Sequence, residues 1–233
     1  MRAPTIFTSA RWASAGSAAL FGLAMLLYPG GTLRDPTTRG YQFFHNFGSD
    51  LVNTVTFGGQ PNYPSLVLAV GGAALLAAAF GGCCLGFVRL YSSWRNGRLV
   101  HAAAAAGMLA CAANIAAAVS PGNRALTRHI WFGYSGFLAE AVASSLFAVA
   151  TARDDRFTKG VPIAWTAAAG AIAVLVGVAH WGPPATSDDG LVIHVVTQKI
   201  VLGTLWAIFL YQTVQADRVA RTIRVCQSAG SRR

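Results

Sequence analysis

Residues 65–88 read SLVLAVGGAALLAAAFGGCCLGFV, 24 positions without a charged side chain. A helix of about 20 such residues crosses the roughly 30 Å of a bilayer's hydrocarbon core. Five further apolar runs of similar size lie at 12–28, 100–119, 130–150, 161–181 and 191–214. The 233-residue chain is 54% hydrophobic and 11% charged, where a soluble domain carries about 25% charged residues. The reading is all-α: a six-transmembrane-helix bundle forming one integral membrane domain over 1–233, with 215–233 a basic cytoplasmic tail. No additional soluble domain is expected. The first run has Arg2 and Arg11 ahead of it, as a secretory signal would, but it ends in Tyr28-Pro29-Gly30-Gly31 without a small-x-small cleavage pattern. It is therefore read as a retained helix.

The formal charge of +10 raises a nucleic-acid reading, which its distribution removes. With the N-terminus cytoplasmic, thirteen basic residues fall on that side: Arg2 and Arg11; Arg89, Arg95 and Arg98; Arg153, Arg156 and Lys159; Arg218, Arg221, Arg224, Arg232 and Arg233. The outer loops hold four: Arg34, Arg39, Arg124 and Arg128. This is the positive-inside pattern. It places both termini in the cytoplasm of a multi-pass protein of the cell (inner) membrane. Sixteen arginines against two lysines, with abundant alanine, point to a GC-rich bacterial genome.

Trp12, Trp94, Trp131, Trp165 and Trp181 fall near the ends of the apolar runs, as an interfacial belt requires, while Trp206 is mid-run. Cys83, Cys84, Cys111 and Cys226 form no disulfide framework or zinc spacing. Gly71-Gly72, Gly81-Gly82 and the Ala-rich run 102–107 suit close helix approach in lipid. The third helix, mostly alanine, is expected inside the bundle, shielded by the others.

One connection is long. Within 31–64, the segment GYQFFHNFGSDLVNTVTF (40–57) spaces Gln42, His45, Asn46, Ser49 and Asn53 at i, i+3, i+4, i+7 and i+11, with Phe43, Phe44, Phe47, Leu51 and Val55 opposite. That periodicity predicts an amphipathic outer helix between helices 1 and 2. Its polar stripe either faces water or turns inward over a cavity.

Four histidines cluster toward the same side: His45, His129, His180 and His194, along with Asp50, Asp188 and Asp189. Two charges lie deeper, Glu140 and Lys199. A charge at mid-bilayer costs about 2.5–3.5 kcal/mol, and each Leu, Ile, Phe or Val returns about 0.3–0.6. The eight such residues of 130–150 barely offset Glu140. It is therefore expected to be paired, with Lys199 or Asn114, or protonated. Glu140 and Asn114 are read as buried polar residues.

Three stretches, NFGSDLVNT, SPGNRALTRHIWFGYSGFLAEA and TQKIVLGTLWAIFLY, resemble a bacterial six-helix membrane family of unknown function (DUF998-like), related in pattern to FRAG/DRAM/Sfk-like membrane proteins. The chain departs from that pattern at Val52, where glycine is usual, and at Gln198-Lys199, where Glu-Arg is expected. The resemblance implies six helices and a pattern centred on Ser49, Asp50, His129 and Lys199, with no established reaction.

The function expected is an outward-facing polar pocket for a lipid headgroup or small polar ligand. Ser49, Asp50, Asn53, His129, Gln198 and Lys199 are the candidate ligand-binding residues. No catalysis and no cofactor are called for. Membrane lipids are the expected partners, nucleic acid is not, and a homo-oligomer stays open. One alternative is a metal-dependent membrane hydrolase, with His129, His180 and His194 holding Zn²⁺ and Asp50 as base or fourth ligand. Another is a proton-coupled transporter working through Glu140, although no repeat or Pro-broken span accompanies it.

Overall fold

The computed structural model describes residues 3–91 and 97–230. Arg2, Trp94, Arg95, Arg232 and Arg233 lie outside the described residues. Six long α-helices follow one another: α1 (Ala3–Leu26), α2 (Tyr63–Leu90), α3 (Gly97–Ala118), α4 (Gly122–Ala152), α5 (Gly160–Trp181) and α6 (Asp188–Gly230). A 3-10 turn, Gly48–Val52, sits in the long connection. Five helices, α2 to α6, are long and apolar enough to cross a membrane, which makes this a multi-pass membrane protein. The first helix is long enough at 24 residues but is not among the five. Its sequence explains the exclusion: Arg11 and the hydroxyls of Thr5, Thr8, Ser9, Ser14 and Ser17 dilute the apolar run.

Each helix packs on its chain neighbours, and α6 closes the ring against α1 and α2. Small residues set the approach. An added methyl at Gly86 would lie 2.5 Å from the Phe7 ring, and one at Gly136 would collide with the Asn114 amide. The aromatic core is built on Trp165, fully buried, stacked on Phe147 at 5.0 Å and edge-on to Phe87 at 6.0 Å. Trp165 is thus a core residue and not the interfacial one expected, whereas Trp12, Trp131 and Trp181 are 75%, 69% and 86% exposed. Nor is α3 shielded by the other helices. It packs between α2 and α4 and leaves Met108, Leu109 and Ile115 exposed.

Two ends of the bundle are tied by ion pairs. At the end carrying both termini, Arg11 of α1 donates to Asp217 of α6 at 3.0 Å, and Arg221 adds a second bond at 3.2 Å. At the opposite end, the long loop joins the start of α6 through Arg34 and Asp188 at 2.7 Å. The last helix, 43 residues long, measures about 64 Å at 1.5 Å per residue. The basic segment after 214 is thus a continuation of α6 through Gly230, not a separate tail.

The amphipathic helix expected over 40–57 does not form. Its polar side chains bond to nearby backbone and hold turns instead of a helical ladder. Asn46 accepts from the Gln42 N–H at 2.9 Å, and Asp50 accepts from the Phe47 N–H at 2.9 Å. Asn62 donates to the carbonyls of Leu51 and Asn53. Gly31 (φ 89°) lets the chain leave α1 in a conformation that other residues rarely adopt, and its carbonyl receives both Asn46 and Tyr28. Leu51 and Val52 plug this cap into a small core with Tyr28, Ala24 and Ala69.

Candidate functional site

Beneath the cap, a cavity of about 340 Å³ runs among α1, α2, α3, α4 and α6. Gly48, Ser49 and Val52 roof it. Its walls are mainly apolar and include two aromatic pairs: Phe21 edge-on to Trp206 at 5.8 Å, and Phe80 stacked on Phe209 at 4.8 Å. Six polar side chains also line it: Ser49, Asn114, His129, Glu140, Gln198 and Lys199.

The roof is pinned to α6. The Gly48 N–H donates to Gln198 Oε1 at 2.8 Å, which leaves the Gln198 amide nitrogen unspent. Lys199 Nζ donates to the Asn46 carbonyl at 2.6 Å and lies 5.3 Å and 5.0 Å from the ring centres of Tyr41 and Phe43. Asn46 is fully buried and also donates from Nδ2 to Asp50 Oδ2 at 3.1 Å. It therefore bridges a cation and an acid that make no direct ion pair. Asp50 is 5% exposed and does not line the cavity. Burial pushes its carboxyl up to about 6, against the opposing pull of Asn46, the Phe47 N–H and Lys199.

Asn53 also points elsewhere. Its Oδ1 accepts from the Asn123 N–H at 3.0 Å, while the Asn123 side chain bonds Thr54 twice, at 3.1 and 3.0 Å. This pins the roof to the start of α4. The predicted set thus divides. The structure brings Ser49, His129, Gln198 and Lys199 to one cavity, and assigns Asp50 and Asn53 to the cap that covers it.

His129 Nδ1 lies 3.0 Å from the carbonyls of both Ala117 and Ser120. A carbonyl only accepts, so Nδ1 carries the proton. The ring thereby ties the start of α4 to the turn that follows α3, where the Ala117 carbonyl also accepts the Ser120 N–H. His180 binds the Val176 carbonyl within its own helix, and His194 binds the Pro183 carbonyl. His45 is exposed. The predicted zinc triad is not assembled: among the described residues, no three His, Cys, Asp or Glu side chains come close enough together to hold a metal ion.

Glu140 is 5% exposed and lines the cavity. Eleven residues separate it from His129, about 16 Å along α4. The polar partner expected for it is absent. Among the described residues no hydrogen bond or ion pair reaches its carboxyl, from Lys199, from Asn114 or from elsewhere. Asn114 itself is only half-buried. Trp206 Nε1, also in the wall, is buried without an acceptor. Two groups were not legible as site components. Asn46 stood in the polar stripe, but its bridging role needs the fold, and Trp206 stood out only as the one mid-helix tryptophan.

Comparison of the chain with family models, with curated proteins and with solved structures finds no match.

Proposed function

We propose that this chain is a six-span protein of the cell (inner) membrane, both termini cytoplasmic, whose cavity binds an amphipathic small molecule by its polar headgroup. The first helix supplies the sixth span: its one charge within the span, Arg11, is neutralised by Asp217 at the end that carries both termini. The positive-inside bias orients that end toward the cytoplasm. The capped end, with Arg34 and Asp188, then faces outward. Kinship with the DUF998-like family remains part of this reading on the strength of the three motifs.

The observation that carries the binding reading is the state of Lys199. An ammonium has three donors, and one protein hydrogen bond, to Asn46, is made. Gln198, whose amide can donate, and Ser49, whose hydroxyl can donate, line the same cavity. These donors complement an oxygen-rich or anionic headgroup, such as a phosphate, while the apolar walls below accommodate a hydrocarbon body. Lipids of the surrounding bilayer are the natural source.

The test is native mass spectrometry of the purified protein with a single-chain lysophosphatidylglycerol and its uncharged monoacylglycerol counterpart. Saturable retention of the phosphate form, lowered about tenfold or more by Lys199→Gln, supports the reading. Equal retention of both by parent and variant, or none by the parent, overturns it.

A further inference from the structure

The far end of the cavity carries chemistry of the opposite sign. A carboxyl 5% exposed, with no hydrogen bond or ion pair among the described residues, faces the cavity from α4. An ionised carboxylate removed from water costs several kcal/mol unless a cation offsets it. Aromatic rings line the same cavity: Phe21 and Trp206 from α1 and α6, Phe80 and Phe209 from α2 and α6, and Phe137 one turn before Glu140 on α4. Aromatic faces carry negative quadrupole charge and attract cations, indole most strongly. The Asn114 amide lines the same wall.

We infer that the inner half of this cavity is a binding site for a lipophilic monocation, a quaternary or protonated amine on an apolar body, with Glu140 as its counter-ion and the aromatic pairs as its cage. The inference goes beyond the headgroup reading and does not depend on it, because Lys199 and Glu140 occupy different parts of the wall. A small hydrated metal cation does not fit. It would need several oxygen ligands, and beside the Glu140 carboxyl this wall offers the Asn114 amide and otherwise mainly apolar side chains. A cation that carries its own apolar surface loses little by leaving water, and it gains both the carboxylate and the rings. An uncharged body would fill the same volume but leave Glu140 stranded.

The experiment uses tetraphenylphosphonium and tetraphenylborate, four phenyl rings around a cationic and an anionic centre. Binding is measured by equilibrium dialysis with the full-length protein in a nonionic detergent. The parent is expected to bind the phosphonium saturably and at least about tenfold more tightly than the borate. Glu140→Gln should weaken phosphonium binding about tenfold or more, and Glu140→Asp should keep most of it. In the parent, phosphonium should also protect Glu140 from modification by dicyclohexylcarbodiimide, an apolar carboxyl reagent; this arm needs no variant to fold. Absence of saturable phosphonium binding, equal binding by a folded Glu140→Gln, or modification of Glu140 unaffected by phosphonium would each overturn the inference. A loss of phosphonium binding in Glu140→Gln with lysophosphatidylglycerol binding retained separates this site from the headgroup site.

Discussion

Lys199 of α6 donates to the main-chain oxygen of Asn46 at 2.6 Å across 153 residues of sequence. This bond and the one from Gly48 to Gln198 at 2.8 Å fasten the cap to the last helix, alongside the Arg34–Asp188 ion pair at its start. Lys199→Met should therefore loosen the cap as well as remove a charge. The measurement is hydrogen exchange at residues 46–52, expected to rise about tenfold or more for the loss of one charge-assisted bond of about 1.5–3 kcal/mol. Unchanged protection would mean that Leu51 and Val52 hold the cap without it.

Asp50 gives the cap a pH signature. Its carboxyl is raised from an ordinary value of 3.8 to about 6, chiefly by burial. The folded state therefore keeps a proton that the unfolded state has released. The stability this contributes is full below about 4 and is lost as pH rises through about 6. The melting temperature should fall by about 3 °C or more between pH 5 and pH 7. Asp50→Asn, which cannot titrate, should flatten that slope.

Glu140 departs from the pairing with Lys199 or Asn114 that was one of the two states expected from sequence. A paired carboxylate would be costly to remove; this one has no partner among the described residues. Glu140→Met, similar in volume and apolar, should raise stability by about 1–3 kcal/mol, seen as a higher melting temperature in detergent. A marked drop would reveal a polar contact.

Asp217 is 6% exposed and bonds both Arg11 and Arg221. Asp217→Ala leaves the partly buried Arg11 with only its bond to Thr8 and should cost about 1–3 kcal/mol. Arg221 is 64% exposed at the side chain, so Arg221→Ala should cost under about 1 kcal/mol. A double-mutant cycle over Arg11 and Asp217 in thermal unfolding checks the ordering.

Topology can be read with a native reporter. Cys226 is exposed, while Cys83, Cys84 and Cys111 are buried. A membrane-impermeant maleimide added to intact cells should spare Cys226 and label Asp188→Cys. The opposite pattern would invert the orientation of the bundle.

Composition and run length determined the helices, because in lipid the backbone must bond within each segment and about 20 apolar residues are needed to span it. The centres of all six helices follow from that count. The ends do not: α1 begins at Ala3 and α6 reaches Gly230, since polar residues extend a helix freely once it has left the hydrocarbon. Periodicity misled at 40–57. A 3.6-residue pattern of Asn, Ser and Asp is equally a pattern of side chains able to bond their own backbone, and Gly31 and Asn62 tipped the choice toward turns. Trp165 looked interfacial because sequence gives depth along a helix but not which face meets a neighbour. The same limit applies to the site. Sequence flagged Ser49, His129, Gln198, Lys199 and Glu140 as polar residues out of place in an apolar chain. Only the closing of the ring by α6 against α1 put them around one cavity, turned Asp50 and Asn53 into the cap, and left Glu140 without a partner among the described residues, because pairing depends on the rotation of α4 and α6 about their axes, which composition does not encode.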